Sequence, residues 1–287
     1  LRRLDPDMEI IILDKGEYIS FANCGLPYHL GGVAKKRESI IIHTPDSMKE
    51  KYNIDVRIQN EVTEIDRQGK SLTVKNHATG ESYRESYDTL VVSTGSSPLV
   101  PPIPGIDGRG IFTLWTIPDM DRIKAYMEEN KPKTVTIIGG GFVGLEVAEN
   151  LAHVGMNVTV VEMASQVMAP IDPEMAEYVH ENLRNEGVRL ILGDGVSSFE
   201  SKKGGIEVKT QNEQVLPSDM VILSIGVRPN TRILKEAGIE LNERGFVKVD
   251  SLLKTSDKDI YALGDIIETD DIVTGGKTSV PLAGPAN

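Results

Sequence analysis

An α/β fold of two parallel-sheet domains, the second inserted in the first, is what three features of this 287-residue sequence predict. A β-branched run ends in Gly139-x-Gly141-x-x-Gly144 and passes straight into a helical pattern. The next apolar strand ends in an acid, Glu162. Short apolar strands on either side of this block also end in acids, Asp14 and Asp265. Strand, glycine turn, helix and strand-end acid in that order form one β-α-β unit.

Thr134-Val135-Thr136-Ile137-Ile138 reads as the first buried strand, and Leu145 to His153 as a helix with Leu145, Ala148 and Leu151-Ala152 on one side. Gly155 stops it, and Asn157 to Glu162 is the second buried parallel strand. A helix over Pro173 to Glu186, with proline in its first turn, and a strand over Val188 to Leu192 complete a β-α-β-α-β unit. After Gly204-Gly205 the period changes: residues 206–210 alternate as a hairpin strand, and an apolar strand runs from Met220 to Ile225. The first hundred residues resemble the later part of a second such unit. An apolar strand spans Met8 to Leu13, a loop carries Cys24, alternating strands cover residues 61–66 and 71–76, and Leu90-Val91-Val92-Ser93 runs into Thr94-Gly95-Ser96-Ser97-Pro98. One more strand, Asp259 to Leu263, ends in Gly264-Asp265. The chain therefore leaves a first nucleotide-binding domain (1–112), builds a second (113–237) and returns to the first (238–287). Both are Rossmann-like, with parallel sheets and hairpin or meander additions.

The composition excludes several functions. Lys and Arg total 31 against 43 Asp and Glu, a net charge of −12, and the longest basic run is Lys35-Lys36-Arg37. An acidic surface repels polyanions, so no nucleic-acid partner is expected; the basic run is a solvated loop or a contact for a ligand phosphate. No apolar run approaches the roughly 20 residues that span a bilayer, and the start has no signal-peptide core, so a cytoplasmic, unanchored protein is expected. The single cysteine excludes an internal disulfide and a cysteine-based zinc cluster. The five histidines show no metal-ligand spacing, and no metal site is assigned.

Each glycine of the turn has a physical task. Gly139 permits the tight turn, Gly141 lets the backbone approach a pyrophosphate, and Gly144 lets helix and strand pack closely. The helix N-terminus then faces the phosphates. Glu162, about 20 residues on, accepts hydrogen bonds from a ribose 2′-OH and repels a 2′-phosphate. Residues 163–168 contain no Arg or Lys to reverse that preference, so NADH is expected in preference to NADPH. Asp14 is either a turn former or a ligand for a ribose diol, and Asp265 has the same ambiguity. Cys24 is either a small buried hydrophobe or, among loop formers where helix dipoles and N–H groups favour the thiolate, a reactive thiol.

The motifs Ser20-Phe21-x-Asn23-Cys24-Gly25-Leu26-Pro27-Tyr28, Thr94-Gly95-Ser96-x-Pro98, Gly139 to Glu146, Gly226-x-Arg228-Pro229-Asn230, Tyr261-Ala262-x-Gly264-Asp265 and residues 281–287 occur in one order. On them the sequence resembles the single-cysteine pyridine nucleotide-disulfide oxidoreductases, nearest to coenzyme A-disulfide reductases and NADH-dependent persulfide reductases. The resemblance implies FAD in the split domain and NAD(P)H in the central one. It implies Cys24 as the redox nucleophile, and Asp14, Val62, Thr94, Gly95, Asp265 and Ala283 as FAD contacts. It also implies Phe142 as an aromatic lid over the flavin, Gly139, Gly141, Val143 and Gly144 as the dinucleotide turn, Glu162 as the ribose ligand, and Glu146 and Gly226 near the nicotinamide. Ser20, Asn23, Arg3 and Lys51 match contacts to a coenzyme A derivative, with an exposed helix-end arginine as the plain alternative for Arg3. The family begins with its own strand and glycine-rich turn and ends in a dimerisation domain. Neither is in the sequence, so the fragment is expected to bind FAD poorly and the intact protein to be a homodimer.

The function so implied is hydride transfer from NADH through FAD to Cys24, which reduces CoA disulfide, CoA persulfide or polysulfide. One alternative is an NADH peroxidase or oxidase using a cysteine sulfenic acid. Another is a nucleotide-binding fragment without catalysis.

Overall fold

The computed structural model describes residues 1–280. The chain divides into two compact units, one of residues 1–20, 43–97 and 228 onward, the other of 21–42 and 98–227. The expected boundaries at 112/113 and 237/238 lie at different points, for packing reasons. Strand Ile111–Thr113 already pairs with Met220–Leu223 in the inserted sheet, and Leu234 is buried in the core of the first unit.

The inserted unit is built on five parallel strands in the order Ile111–Thr113, Met220–Leu223, Thr134–Ile138, Asn157–Glu162, Arg189–Leu192. Residues Val135, Ile137, Val160, Val161, Val221 and Ile222 are buried whichever way they point, as a parallel sheet covered on both faces requires. Helices Phe142–His153 and Pro173–Asn185 make the two expected crossovers. The first buries Gly144, Val147, Ala148 and Leu151 along one stripe. Each fully buried Ile or Val contributes about 1.5–3 kcal/mol, so the stripe and the sheet beneath it hold the glycine turn rigidly. Strands Val196–Lys202, Gly205–Thr210 and Val215–Ser218 form the antiparallel meander and share the core with Ile138, Val161 and Leu223.

Two further helices join this unit. Ile117–Asn130 is started by a Thr116/Asp119 capping box and proline in its first turn, and it ends at Lys131 in the left-handed conformation. The expected loop after Cys24 is instead a short helix, Gly25–Leu30. Pro27 sits in the first turn, where its missing N–H costs nothing, and Leu26 and Leu30 bury one face. It packs on Phe142–His153 so closely that a Cβ on Gly31 would lie 2.4 Å from the Asn150 side chain. Arg37 adds a bidentate pair to Asp121, at 2.9 and 2.7 Å.

The first unit contains two separate parallel pairs, Ile11–Leu13 with Asp55–Arg57 and Leu90–Val92 with Ile260–Ala262. It also holds an antiparallel sheet of Asn60–Asp66, Ser71–Asn76 and Ser82–Ser86. Ile65, Leu72, Val74, Val92, Leu234, Val247, Ile260 and Ile266 form its core. Helix Pro45–Tyr52 begins at a Thr44/Ser47 capping box, and the Arg2 guanidinium donates to the carbonyls of Tyr52 and Asn53 at its end. No helix among the described residues is long and apolar enough to cross a membrane.

Candidate functional site

In the inserted unit the glycine turn lies at the C-terminal ends of the parallel strands, where open α/β sheets bind ligands. Three of its four glycines, Gly139, Gly141 and Gly144, have different surroundings. A Cβ on Gly139, whose φ is +106°, would lie 2.2 Å from the Ser224 carbonyl oxygen, and one on Gly144 would lie 2.1 Å from the Gly139 oxygen. A Cβ on Gly141 would meet nothing within 4 Å. Gly141 is the N-cap of helix Phe142–His153, so the first helical N–H groups open onto this free space. That is a cradle for a pyrophosphate, and the residues present fit a dinucleotide.

Glu162 lies beside the turn. One carboxylate oxygen accepts the Gly140 N–H at 2.6 Å and the other the Ala164 N–H at 2.7 Å. The carboxylate is thereby fixed in orientation, and each oxygen keeps a lone pair for a ribose hydroxyl. Phe142, Val143 and Glu146 follow on the helix; Phe142 is exposed and Glu146 half-buried. Burial, reinforced by the nearby charge of Glu149, raises the Glu146 carboxyl above its ordinary range. The Ser224 N–H donates to Ile138, which brings the strand leading to Gly226 to the same edge, and Gly226 holds φ +104°.

Cys24 belongs to the same compact unit. It is exposed, the residue immediately before helix Gly25–Leu30, with exposed Asn23 beside it. The bland alternative of a buried hydrophobe therefore does not hold. Its helix rests on the one that starts at the dinucleotide turn.

The remaining predicted residues, Ala283 apart, lie in the other unit. The Asp14 Oδ1 accepts the Gly16 N–H at 2.6 Å and so forms the turn after its strand, while Oδ2 has no partner among the described residues. The two readings of this acid are thus compatible. The Ser96 hydroxyl donates to Asp265 Oδ2 at 2.6 Å. Gly95 and Gly264 both have positive φ, with nothing within 4 Å where a side chain would stand, which leaves the open backbone a flat or phosphorylated ligand needs. Val62 packs its side chain on the core. Arg3 and Lys51 are exposed; because Arg2 binds the carbonyl of Tyr52, their backbones share one corner of the unit. Ser20 is half-buried, and Ala283 lies outside the described residues.

Sequence reasoning missed the clamp between two of its own motifs. The Asn230 side chain donates to the Thr94 carbonyl at 3.0 Å, the Thr94 hydroxyl donates to the Asn230 carbonyl at 2.6 Å, and Ser97 donates to Asn230 Oδ1 at 2.8 Å. An asparagine closing a Gly-x-Arg-Pro-Asn turn was the available signal, but its partner lies far away in sequence.

The chain matches the family described as pyridine nucleotide-disulphide oxidoreductase over residues 1–285. It is 36% identical to an NADH oxidase of Methanocaldococcus jannaschii, over 98% of this chain and 62% of the relative. It is 32% identical to the coenzyme A disulfide reductase of Staphylococcus haemolyticus, over 99% of this chain and 63% of the relative. The crystal structure of reduced CoADR-RHD from Bacillus anthracis superposes with a TM-score of 0.97 at 49% identity, covering all of this chain and 51% of that one. The chain thus spans less than two thirds of the length of these relatives. With its glycine turn, strand-end acids and parallel sheets, it belongs to the pyridine nucleotide-disulphide oxidoreductase family.

Proposed function

We propose that this chain carries the nucleotide-binding part of an oxidoreductase that passes a hydride from NADH through FAD to Cys24, which reduces CoA disulfide, CoA persulfide or polysulfide. One observation carries the reading: the only cysteine is exposed on the same compact unit as an open dinucleotide turn. Similarity to a coenzyme A disulfide reductase supports the sulfur acceptor.

Gly139, Gly141 and Gly144 with Val143 would seat the NADH pyrophosphate, Glu162 would hold the adenosine ribose, and its charge would disfavour NADPH. Phe142, Glu146 and Gly226 would meet the nicotinamide end. Asp14, Val62, Thr94, Gly95 and Asp265 would hold FAD, which when bound supplies the two-electron carrier between nicotinamide and sulfur. Ser20, Asn23, Arg3 and Lys51 would bind the CoA portion of the acceptor. With one cysteine in this chain, no disulfide within it can store the electron pair. The Cys24 thiolate instead attacks the substrate disulfide, forming a Cys24 mixed disulfide and releasing one thiolate. Two electrons and a proton then cleave that bond, releasing the second thiol and restoring the Cys24 thiolate. The whole protein would act as a cytoplasmic homodimer.

The likeness to an NADH oxidase favours a second reading, in which Cys24 cycles through a sulfenic acid to reduce peroxide or O2. NADH consumption is compared with CoA disulfide, CoA persulfide, peroxide and air as acceptors, using the whole protein loaded with FAD. Fastest turnover with a sulfur acceptor is expected, with that turnover lost in Cys24→Ser while NADH still bleaches the flavin. Normal sulfur turnover by the mutant would remove Cys24 from the mechanism, and faster turnover with peroxide or O2 would favour the second reading.

A further inference from the structure

Next to Glu162, residues 163–168 fold over the glycine turn. The Met168 N–H donates to the Gly140 carbonyl at 2.9 Å, and the buried Val167 side chain lies so close that a Cβ on Gly140 would be 2.8 Å from it. Met168 holds a left-handed φ of +52°, a conformation that side-chain-bearing residues keep only when their surroundings impose it. The tie comes from helix Pro173–Asn185. His180 is 4% exposed; its Nε2 lies 3.1 Å from the Val167 nitrogen and its Nδ1 2.9 Å from Glu177. A carboxylate only accepts, so Nδ1 carries the proton; a backbone N–H only donates, so Nε2 presents its lone pair. The ring is the neutral Nδ1–H tautomer, and Arg184 holds Glu177 in place at 2.8 Å.

We propose that His180 is a positioning residue for the NADH site: through the Val167 N–H it fixes the segment 163–168 that frames Glu162 and the glycine turn. This rests on the NADH reading above. Removing the acceptor leaves a buried N–H without a partner, which favours release of the segment. Leucine at this position fills the volume without accepting, and Glu177 keeps Arg184 as partner. Glutamine places an amide oxygen where Nε2 stands and restores the bond.

The test titrates NADH into the chain by calorimetry and follows amide hydrogen exchange without nucleotide. In His180→Leu the NADH Kd should rise about ten-fold, or roughly 1.4 kcal/mol, and the Val167 and Met168 amides should exchange faster. His180→Gln should return both to near wild type. Wild-type affinity and protection in a folded His180→Leu would overturn the proposal, as would Gln failing to rescue where Leu fails. Absence of any NADH binding by the wild type would instead overturn the reading of the site, and the inference with it.

Discussion

Adding one methyl group at Gly144 and at Gly141 separates folding from ligand binding within a single turn. In Gly144→Ala the new Cβ would stand 2.1 Å from the Gly139 carbonyl oxygen, a backbone atom that cannot rotate away. Helix Phe142–His153 must back off strand Thr134–Ile138 by most of an ångström, pulling Val147, Ala148 and Leu151 from a fully packed core. Overpacking of this kind costs about 1–3 kcal/mol, and each kcal/mol lowers the midpoint of a unit this size by about 2–4 °C. In Gly141→Ala the methyl meets no protein atom within 4 Å and φ is −79°, so the fold loses only the N-cap preference, under about 1 kcal/mol. The methyl does occupy the approach to the helix N-terminus, so NADH affinity should fall at least ten-fold, about 1.4 kcal/mol. Calorimetric melting paired with NADH titration reads both quantities. A Gly144→Ala midpoint equal to wild type would refute the packing argument, and unchanged NADH affinity in Gly141→Ala would show that the pyrophosphate sits elsewhere.

The Glu146 carboxyl, raised by burial and by Glu149, favours the folded state only when protonated. That contribution is complete below the ordinary glutamate range and is lost as pH rises through the raised value. Glu146→Gln should therefore raise the melting midpoint at pH 7 and leave it unchanged near pH 4; an equal effect at both would remove the charge as the cause. Gly31→Ala would bring a Cβ within 2.8 Å of the Asn150 Cβ and within 2.4 Å of its Oδ1, forcing helix Gly25–Leu30 off its neighbour. A loss of about 1–3 kcal/mol in denaturant unfolding is expected, with faster exchange of the Leu26 to Leu30 amides; unaltered protection would mean the close approach is not needed.

The inserted domain was largely legible in the sequence because its signals are local. Apolar runs such as Met220–Leu223 are too continuous for a half-solvated strand, and Gly139 and Gly144 stand where a Cβ would strike backbone. The helix after Cys24 was missed because six residues with glycine first and proline third give no periodic pattern; burial of Leu26 and Leu30 against another helix stabilises it. His180 carried no motif at all, since its role depends on a backbone N–H thirteen positions earlier that the fold returns to it.

Residue order alone determined the α/β class, the seat of the glycine turn, the acid at the end of the next strand and the impossibility of an internal disulfide. These follow from periodicity, glycine geometry and a count of one cysteine. Tertiary packing alone decided that Cys24 is exposed on the unit bearing that turn, that Asn230 locks Thr94, and that Glu162 is held by two backbone N–H groups. The Thr94–Asn230 and Gly140–Glu162 bonds join groups distant along the chain, and such pairs are selected by burial and hydrogen-bond satisfaction across the fold rather than by neighbouring residues.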